Sequence, residues 1–402
     1  MEKQKKIPKL RFPEFEGEWS SRTLKDIVFS VEFGVSVNSI DEPVVNSSDR
    51  GILKTSCVSA GRFIPEENKT IVIEEIQRAK LNPEKDTIIV SRMNTPQLVG
   101  ESGYVDKDYN NLFIPDRLWK VKINKEKHLT KLISILLTTD RIKSILSNIA
   151  TGTSNSMKNI SQPNFLKIAL YTPSLQEQQK IASFFTAIDQ KISQLKSKKI
   201  LLEQYKKGVM QKIFSQEIRF KDDNGQEFPK WEKKRLKNIA DIIKGEQLNK
   251  ELLEDQGSYP CINGGIEPSG FTSKYNSMEN TITISEGGNS CGFINFIKTK
   301  FWCGGHCYKI IIKNEMLNSK LFLFHNLKYN QIKMMKLRVG TGLPNIQKKD
   351  ISNFVLLVSI SIPEQTKIAN FLSAIDGKIN HTQKQIEKAE VWKKGLMQQM
   401  FI

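Results

Sequence analysis

The sequence predicts an α+β protein of two mixed α/β bodies, each followed by a long helix. The two helices are expected to pair as an antiparallel coiled coil about a pseudo-twofold axis. Two observations predict this. First, a helical stretch occurs twice, at Glu177–Ile192 (EQQKIASFFTAIDQKI) and Glu364–Ile379 (EQTKIANFLSAIDGKI), offset by 187 residues. Aligned without a gap over 177–214 and 364–401, 18 of 38 positions are identical, where chance gives about two or three. Second, the segments ahead of the two copies share an entry motif while their interiors differ.

In chain order, Trp19, Leu24 and Ile27 have the spacing of Trp231, Leu236 and Ile239, after Phe12-Pro13 and Phe228-Pro229. The first body, residues 28–150, carries β-rich runs at Thr70–Ile73, Thr87–Ser91 and Leu118–Ile123, and one helix over Leu129–Ile149. The second, residues 240–335, has runs at Thr281–Ser285, Gly292–Ile297 and Tyr308–Lys313, with glycine-rich turns between them. A helix over Ser319–Lys336 follows. A Gly-Thr pair then precedes each repeat, with Gly152 and Gly340 standing 29 and 28 residues before Ile181 and Ile368.

Both repeats lack internal proline and are rich in Lys, Gln, Glu, Ile and Leu, which favours helix. Apolar residues recur at steps of four and three: Ile181, Phe185, Ile188, Ile192 and Leu195, then Ile368, Leu372, Ile375 and Ile379. This is a heptad seam, interrupted by Lys199, Lys206 and Lys393. A single such stripe reads first as an ordinary core-facing helix; two copies favour pairing, because each can bury its stripe against the other. Each helix is expected to run for about 35 residues, or about 50 Å. The resulting division is 1–172 for the first body, 173–216 for its helix, 217–360 for the second body and 361–402 for its helix.

Across 402 residues the formal net charge is +18. Such a balance points to a polyanion, nucleic acid before membrane, although a lysine-rich coding bias produces the same excess. No run of 18 apolar residues occurs, so no membrane span is expected. The N-terminus lacks the apolar core of a secretory signal, and five irregularly spaced cysteines suit a reducing cytoplasm. Catalytic motifs are missing: there is no Asp/Asn-Pro-Pro-aromatic sequence, no phosphate-binding Gly-x-x-x-x-Gly-Lys-Ser/Thr loop and no His-Glu-x-x-His. Cys291, Cys303, His306 and Cys307 are the best zinc candidates. Their spacing fits no finger well, and buried free cysteines in a strand-rich core are commoner, so no metal is expected.

Base edges are read by side chains with paired donors and acceptors. In the first body the loop after Thr87–Ser91 offers Arg92, Asn94, Thr95 and Gln97, with Lys54, Thr55, Ser56 and Arg62 as second choices. In the second body, Ser285 leads to Asn289 and Ser290, with Asn263, Lys298 and Lys300 nearby in composition. Thr153 and Thr341, in the Gly-Thr pairs, suit phosphate contact through backbone amides. Each of these residues also serves simply as a turn former. Lys198, Lys199, Lys206 and Lys207 either touch DNA or solvate an exposed helix face. Phe184, Tyr205, Phe214, Phe371 and Trp392, off the seam, are candidates for docking a partner helix.

Taken together, the repeated helices, their Lys206-Lys207-Gly208 and Lys393-Lys394-Gly395 ends and the two unlike bodies resemble the DNA-specificity subunit of type I restriction–modification systems. The resemblance covers essentially the whole chain. It implies that each body is a target-recognition domain reading one half of a bipartite double-stranded DNA site. It further implies that the helices form a spacer docking two methyltransferase subunits, and through them restriction (ATP-dependent translocase/nuclease) subunits. No cofactor is expected in this chain; S-adenosylmethionine, ATP and Mg belong to the implied partners. Two other readings are a stand-alone nuclease or methyltransferase with an unrecognised active site, and a purely structural coiled-coil scaffold.

Overall fold

Thr87–Ser91 and Thr281–Ser285 are dominated by β-branched residues, and every residue in both is buried. In the computed structural model they are the central strands of two related sheets. The structure describes residues 6–46, 48–152, 157–340, 342 and 344–402. By contacts the chain divides into two units, residues 1–194 with 386–402, and residues 195–385.

In the first unit six strands follow the order Val28–Phe33, Leu118–Ile123, Thr87–Ser91, Ser102–Val105, Arg62–Phe63 and Val58–Ser59. Alternation along the strands makes two cores. Ile88, Val90, Trp119 and Val121 pack with the helices, whereas Ile89 and Leu118 join Leu53, Val58 and Leu112 on the opposite face. The second unit repeats the first four places with Ala240–Lys244, Cys307–Ile312, Thr281–Ser285 and Ile294–Ile297. In both, the entry motif becomes a strand paired with the last strand before the long helix: Ser20–Thr23 against Ala169–Thr172, and Glu232–Arg235 against Val355–Val358.

Several expected elements differ in their bounds, the runs expected over 292–297 and 308–313 forming at Ile294–Ile297 and Cys307–Ile312. The helix expected over Leu129–Ile149 breaks into Thr130–Leu137 and Asp140–Ile149. At the break, the Thr138 and Thr139 hydroxyls donate to the Ile135 and Leu136 carbonyls at 2.6 and 2.7 Å, competing with helix continuation. The helix expected over Ser319–Lys336 breaks at Asn330, whose Nδ2 donates to the Asn326 carbonyl at 3.0 Å. The run at Thr70–Ile73 forms its strand two residues earlier, at Asn68–Ile71.

The long helices, Leu175–Phe214 and Ile362–Met400, have 40 and 39 residues, or about 60 Å each, longer than expected. Their first turns are anchored by the Glu-Gln pair that opens each repeat, all four side chains being buried. Glu177 accepts two bonds from Arg11, both 2.7 Å, and one from Trp19 Nε1 at 3.3 Å. Glu364 accepts from Arg219 at 3.2 Å, Trp231 Nε1 at 2.8 Å and Ser359 Oγ at 2.6 Å. The next residue ties the helix to its own body. Gln178 accepts from the Leu129 amide at 2.9 Å and donates to Lys127 O, while Gln365 accepts from the Ser319 amide at 2.7 Å and donates to Leu317 O.

The seams close antiparallel within each unit. In the first, Ile181, Phe185, Ile188 and Ile192 pack with Met400 and Phe401, and Phe185 stacks on Phe401 at 5.6 Å. In the second, Ile368, Leu372 and Ile375 pack with Met210, Ile213 and Phe214. Of the three lysines that interrupt the seam, Lys199 lies 3.7 Å from Glu203 on its own helix, and the other two are answered by aspartates across it: Lys393 by Asp189 and Lys206 by Asp376, each at 2.6 Å. The 187-residue offset converts one pair into the other.

Removing one member of a buried pair strands the other. Glu177→Ala is therefore expected to destabilise the protein by about 3–5 kcal/mol, read as a lower urea midpoint by tryptophan fluorescence. A shift corresponding to less than about 1 kcal/mol, the ordinary worth of an exposed pair, rejects the anchor. His325 supplies a pH dependence. It is buried with Nε2 at 3.2 Å from Ser373 Oγ, and burial, with Lys206 adding to it, pushes its pKa down to about 4 from 6.5. The folded state thus resists protonation that the unfolded state accepts. Stability from this group is complete above pH 6.5 and is lost as pH falls from 6.5 towards 4. His325→Gln should flatten that acid limb in denaturation series between pH 7 and 4; an unchanged limb contradicts it.

Candidate nucleic-acid interface

The same construction ends the central strand in both units. In the first, Ser91 is buried and Arg92 follows it, with the guanidinium carbon 6.0 Å from the Trp119 ring centre. Arg92 Nε is buried without a hydrogen-bond partner. Lys158–Asn159 pairs with Met93–Asn94, and the Ile160 amide donates to the Arg92 carbonyl at 2.8 Å. Lys158 Nζ donates to the Gly152 carbonyl at 3.0 Å. Asn94, Thr95 and Gln97 complete this loop, Thr95 and Gln97 being exposed.

In the second unit Ser285 is buried and Glu286 takes the place of Arg92. The Ile346 amide donates to the Glu286 carbonyl at 2.9 Å, and Asn345 bridges to both Gly287 and Val339. Ile160 and Ile346 are each fully buried. Downstream of the two Gly-Thr pairs, Ile160 and Ile346 are therefore each held against the head of their own central strand. The Glu286 carboxylate accepts from Tyr308 OH at 2.8 Å and from Lys244 Nζ at 2.7 Å, and lies 3.8 Å from His306 Nδ1. Beside it, the Gly264 carbonyl accepts from the hydroxyls of both Ser285 and Ser290. Gly264 has φ +86°, and a side chain there would meet the His306 carbonyl at 2.5 Å, so this turn requires glycine.

The expected site residues divide accordingly. Arg92, Asn94, Thr95 and Gln97 share one loop. Asn263, Ser285, Asn289 and Ser290 gather at the other, where Asn289 is exposed. Ser285 and Ser290 are committed to Gly264, and Asn263 accepts from the His306 amide at 3.0 Å. Lys298 and Lys300 are at the wrong end of the sheet. Ile297 pairs with Thr281, so the lysines follow the far end of the hairpin, and Lys300 Nζ lies 4.7 Å from the Tyr275 ring centre. Lys54, Thr55, Ser56 and Arg62 belong to outer strands and a turn: Ser56 donates to Glu67 at 2.6 Å, and Lys54 Nζ stands 3.4 Å from Asp41. Thr153 and Thr341 lie outside the described residues.

Phe214 is corrected as a docking residue: it is buried in the second unit, stacked on Tyr329 at 5.3 Å. Phe184 is half-buried between Phe12 and Trp392, and Phe371 meets Phe220 at 5.7 Å. Tyr205 and Trp392, equivalent in the repeat, remain exposed. The zinc candidates do not assemble. Cys291 donates to the Glu286 carbonyl at 3.1 Å, Cys303 and Cys307 are buried on backbone carbonyls, and His306 is exposed. Among the described residues no three His, Cys, Asp or Glu groups converge as metal ligands, and no helix is long and apolar enough to cross a membrane. The sequence reading missed Lys158, Lys244 and Tyr308 in these sites; the equivalence of the two central strands was the available signal.

The fold recurs in solved structures. The S subunit of a type I restriction–modification system from Mycoplasma genitalium superposes with a TM-score of 0.68 at 19% identity, covering 98% of this chain and 99% of that one. Sequence relatives include a chain assigned as a type I specificity subunit in Mycoplasma pneumoniae, 35% identical over 39% of this chain and 42% of its own length. The chain thus matches well under half the length of that relative. A type I restriction enzyme specificity subunit of Methanocaldococcus jannaschii is 30% identical over 47% of this chain and 46% of its own. The family model for the type I restriction modification DNA specificity domain matches twice, over residues 17–204 and 229–391, once for each half of the internal repeat. With both halves matched, the chain belongs to the type I restriction–modification DNA specificity family.

Proposed function

We propose that this protein is the sequence-specific DNA-recognition subunit of a type I restriction–modification complex, reading an asymmetric bipartite target with one body per half-site. The observation that carries this reading is the repeated strand-end site: one backbone frame, held by Ile160 or Ile346, presenting Arg92 in one body and Glu286 with Lys244 in the other. A shared frame with unlike side chains suits two modules doing one job on different sequences. The net charge of +18 supplies the phosphate attraction that such binding needs. The chain itself is non-catalytic in this reading. Methyltransferase partners carry S-adenosylmethionine, restriction partners carry ATP and Mg, and the exposed Tyr205 and Trp392 are the docking residues for the methyltransferase helices.

Adenine methylation mapped genome-wide, with and without this gene and with its partners expressed, tests the reading. Loss of methylation at one asymmetric two-part motif is expected; an unchanged methylome under those conditions rejects it. Arg92→Ala should cost about 1–3 kcal/mol and relax one position of the first half-site only. Uniform weakening across sequences would make Arg92 a phosphate contact instead. Inserting equal whole turns in both long helices should change the spacer and leave both half-sites intact, with an altered half-site counting against a spacer role.

A further inference from the structure

Phe33 closes the edge strand of the first sheet directly opposite Trp119, and Lys244 closes the edge strand of the second directly opposite Tyr308. Residues directly opposite across a ladder project from the same face. Trp119 and Tyr308 are buried on the helix side, beneath the residues that end the central strands. The Arg92 guanidinium lies over Trp119, and the Glu286 carboxylate bonds Tyr308. Phe33 and Lys244 are therefore counterparts, each flanking the loop head of its own unit.

Their chemistry is opposed. Phe33 is 60% exposed and has no donor, so phosphate cannot be its partner. The thymine C5-methyl is the apolar group that the major groove offers. Lys244 has a half-exposed side chain whose ammonium is tethered at 2.7 Å to a carboxylate that is itself buried. That carboxylate offsets the charge on which phosphate attraction depends, and it uses one of three N–H donors. The remaining two suit adjacent acceptors such as O6 and N7 of guanine.

We propose that Phe33 and Lys244 are specificity-determining residues occupying the same place in the two bodies, Phe33 against a thymine methyl in one half-site and Lys244 on a guanine edge in the other. Glu286 and Tyr308 are positioning residues that hold Lys244. The proposal rests on the DNA-recognition reading above and names the class of base each body takes at this position.

The test is methylome mapping of the full complex carrying F33A, F33L, K244A or E286Q, with thermal melting of each purified variant as the folding control. F33A should relax one position of the first half-site, with discrimination there falling about tenfold or more, while F33L retains it. K244A should relax one position of the second half-site only, and E286Q should relax that same position. Unchanged motifs with uniformly reduced methylation in normally melting variants would overturn the proposal, as would F33A altering the second half-site. A wild-type complex with no gene-dependent motif would instead remove the DNA-recognition reading itself, so the two failures are distinct.

Discussion

A buried carboxylate at the start of each long helix is the constraint on which the rest depends. Taking Glu177 or Glu364 out of water costs several kcal/mol, on the order of what is lost when such a pair is broken. The charge is tolerated because the entry motif meets it there: Arg11 and Trp19 for one, Arg219 and Trp231 for the other. This explains why segments more than 130 residues apart in sequence carry matched motifs. The entry strand, the strand that precedes the helix and the helix itself are fixed by one polar knot. Gln178 and Gln365 extend the knot to the loop before the next helix of the body. Each body is thereby set rigidly on its own helix, the condition for holding a recognition loop in one orientation.

The seam between the helices follows a second constraint of the same kind. A lysine in an apolar seam lowers stability unless answered, and its answer fixes register. Lys206 with Asp376 and Lys393 with Asp189 are one pair formed twice by the repeat. The junctions to the bodies are repeated as well. The Ile218 amide donates to the Lys212 carbonyl at 3.1 Å, and the Leu10 amide donates to the Gln399 carbonyl at 3.0 Å. The first junction lies within a continuous stretch of chain and the second joins residues from opposite ends of the sequence, yet the geometry is the same. The packing therefore demands the joint whether or not the chain is continuous through it.

What the sequence disclosed and what it withheld divide along physical lines. Repeats, central strands and helices were legible because periodicity and composition are local properties. Thr87–Ser91 and Thr281–Ser285 form as expected, and Arg92, Asn94 and Gln97 share the expected loop. Which end of a hairpin a residue occupies is not local, and Lys298 and Lys300 fell at the wrong end for that reason. Phe214 has the off-seam position of a surface residue, but the turn after it folds the chain back so that Tyr329 and Trp231 enclose it. Phe33 and Lys244 end edge strands of unremarkable composition, and only the register against Trp119 and Tyr308 reveals them as a pair.

That pairing shows how one scaffold accommodates divergent chemistry. The amide of Ile160 or Ile346 bonds the backbone carbonyl of the residue at the strand end, not its side chain. The bond is made identically whether that residue is Arg92 or Glu286. Behind it, an aromatic ring fills the same core position in both bodies, an indole whose face meets the guanidinium in one and a phenol that donates to the carboxylate in the other. The indole leaves a guanidinium Nε unpartnered, and the phenol holds a carboxylate that in turn holds a lysine. Because the frame is satisfied through backbone atoms and a buried ring, the side chains facing outward can change sign without disturbing it. A site whose geometry is independent of its charge can diverge in what it binds while the fold stays fixed.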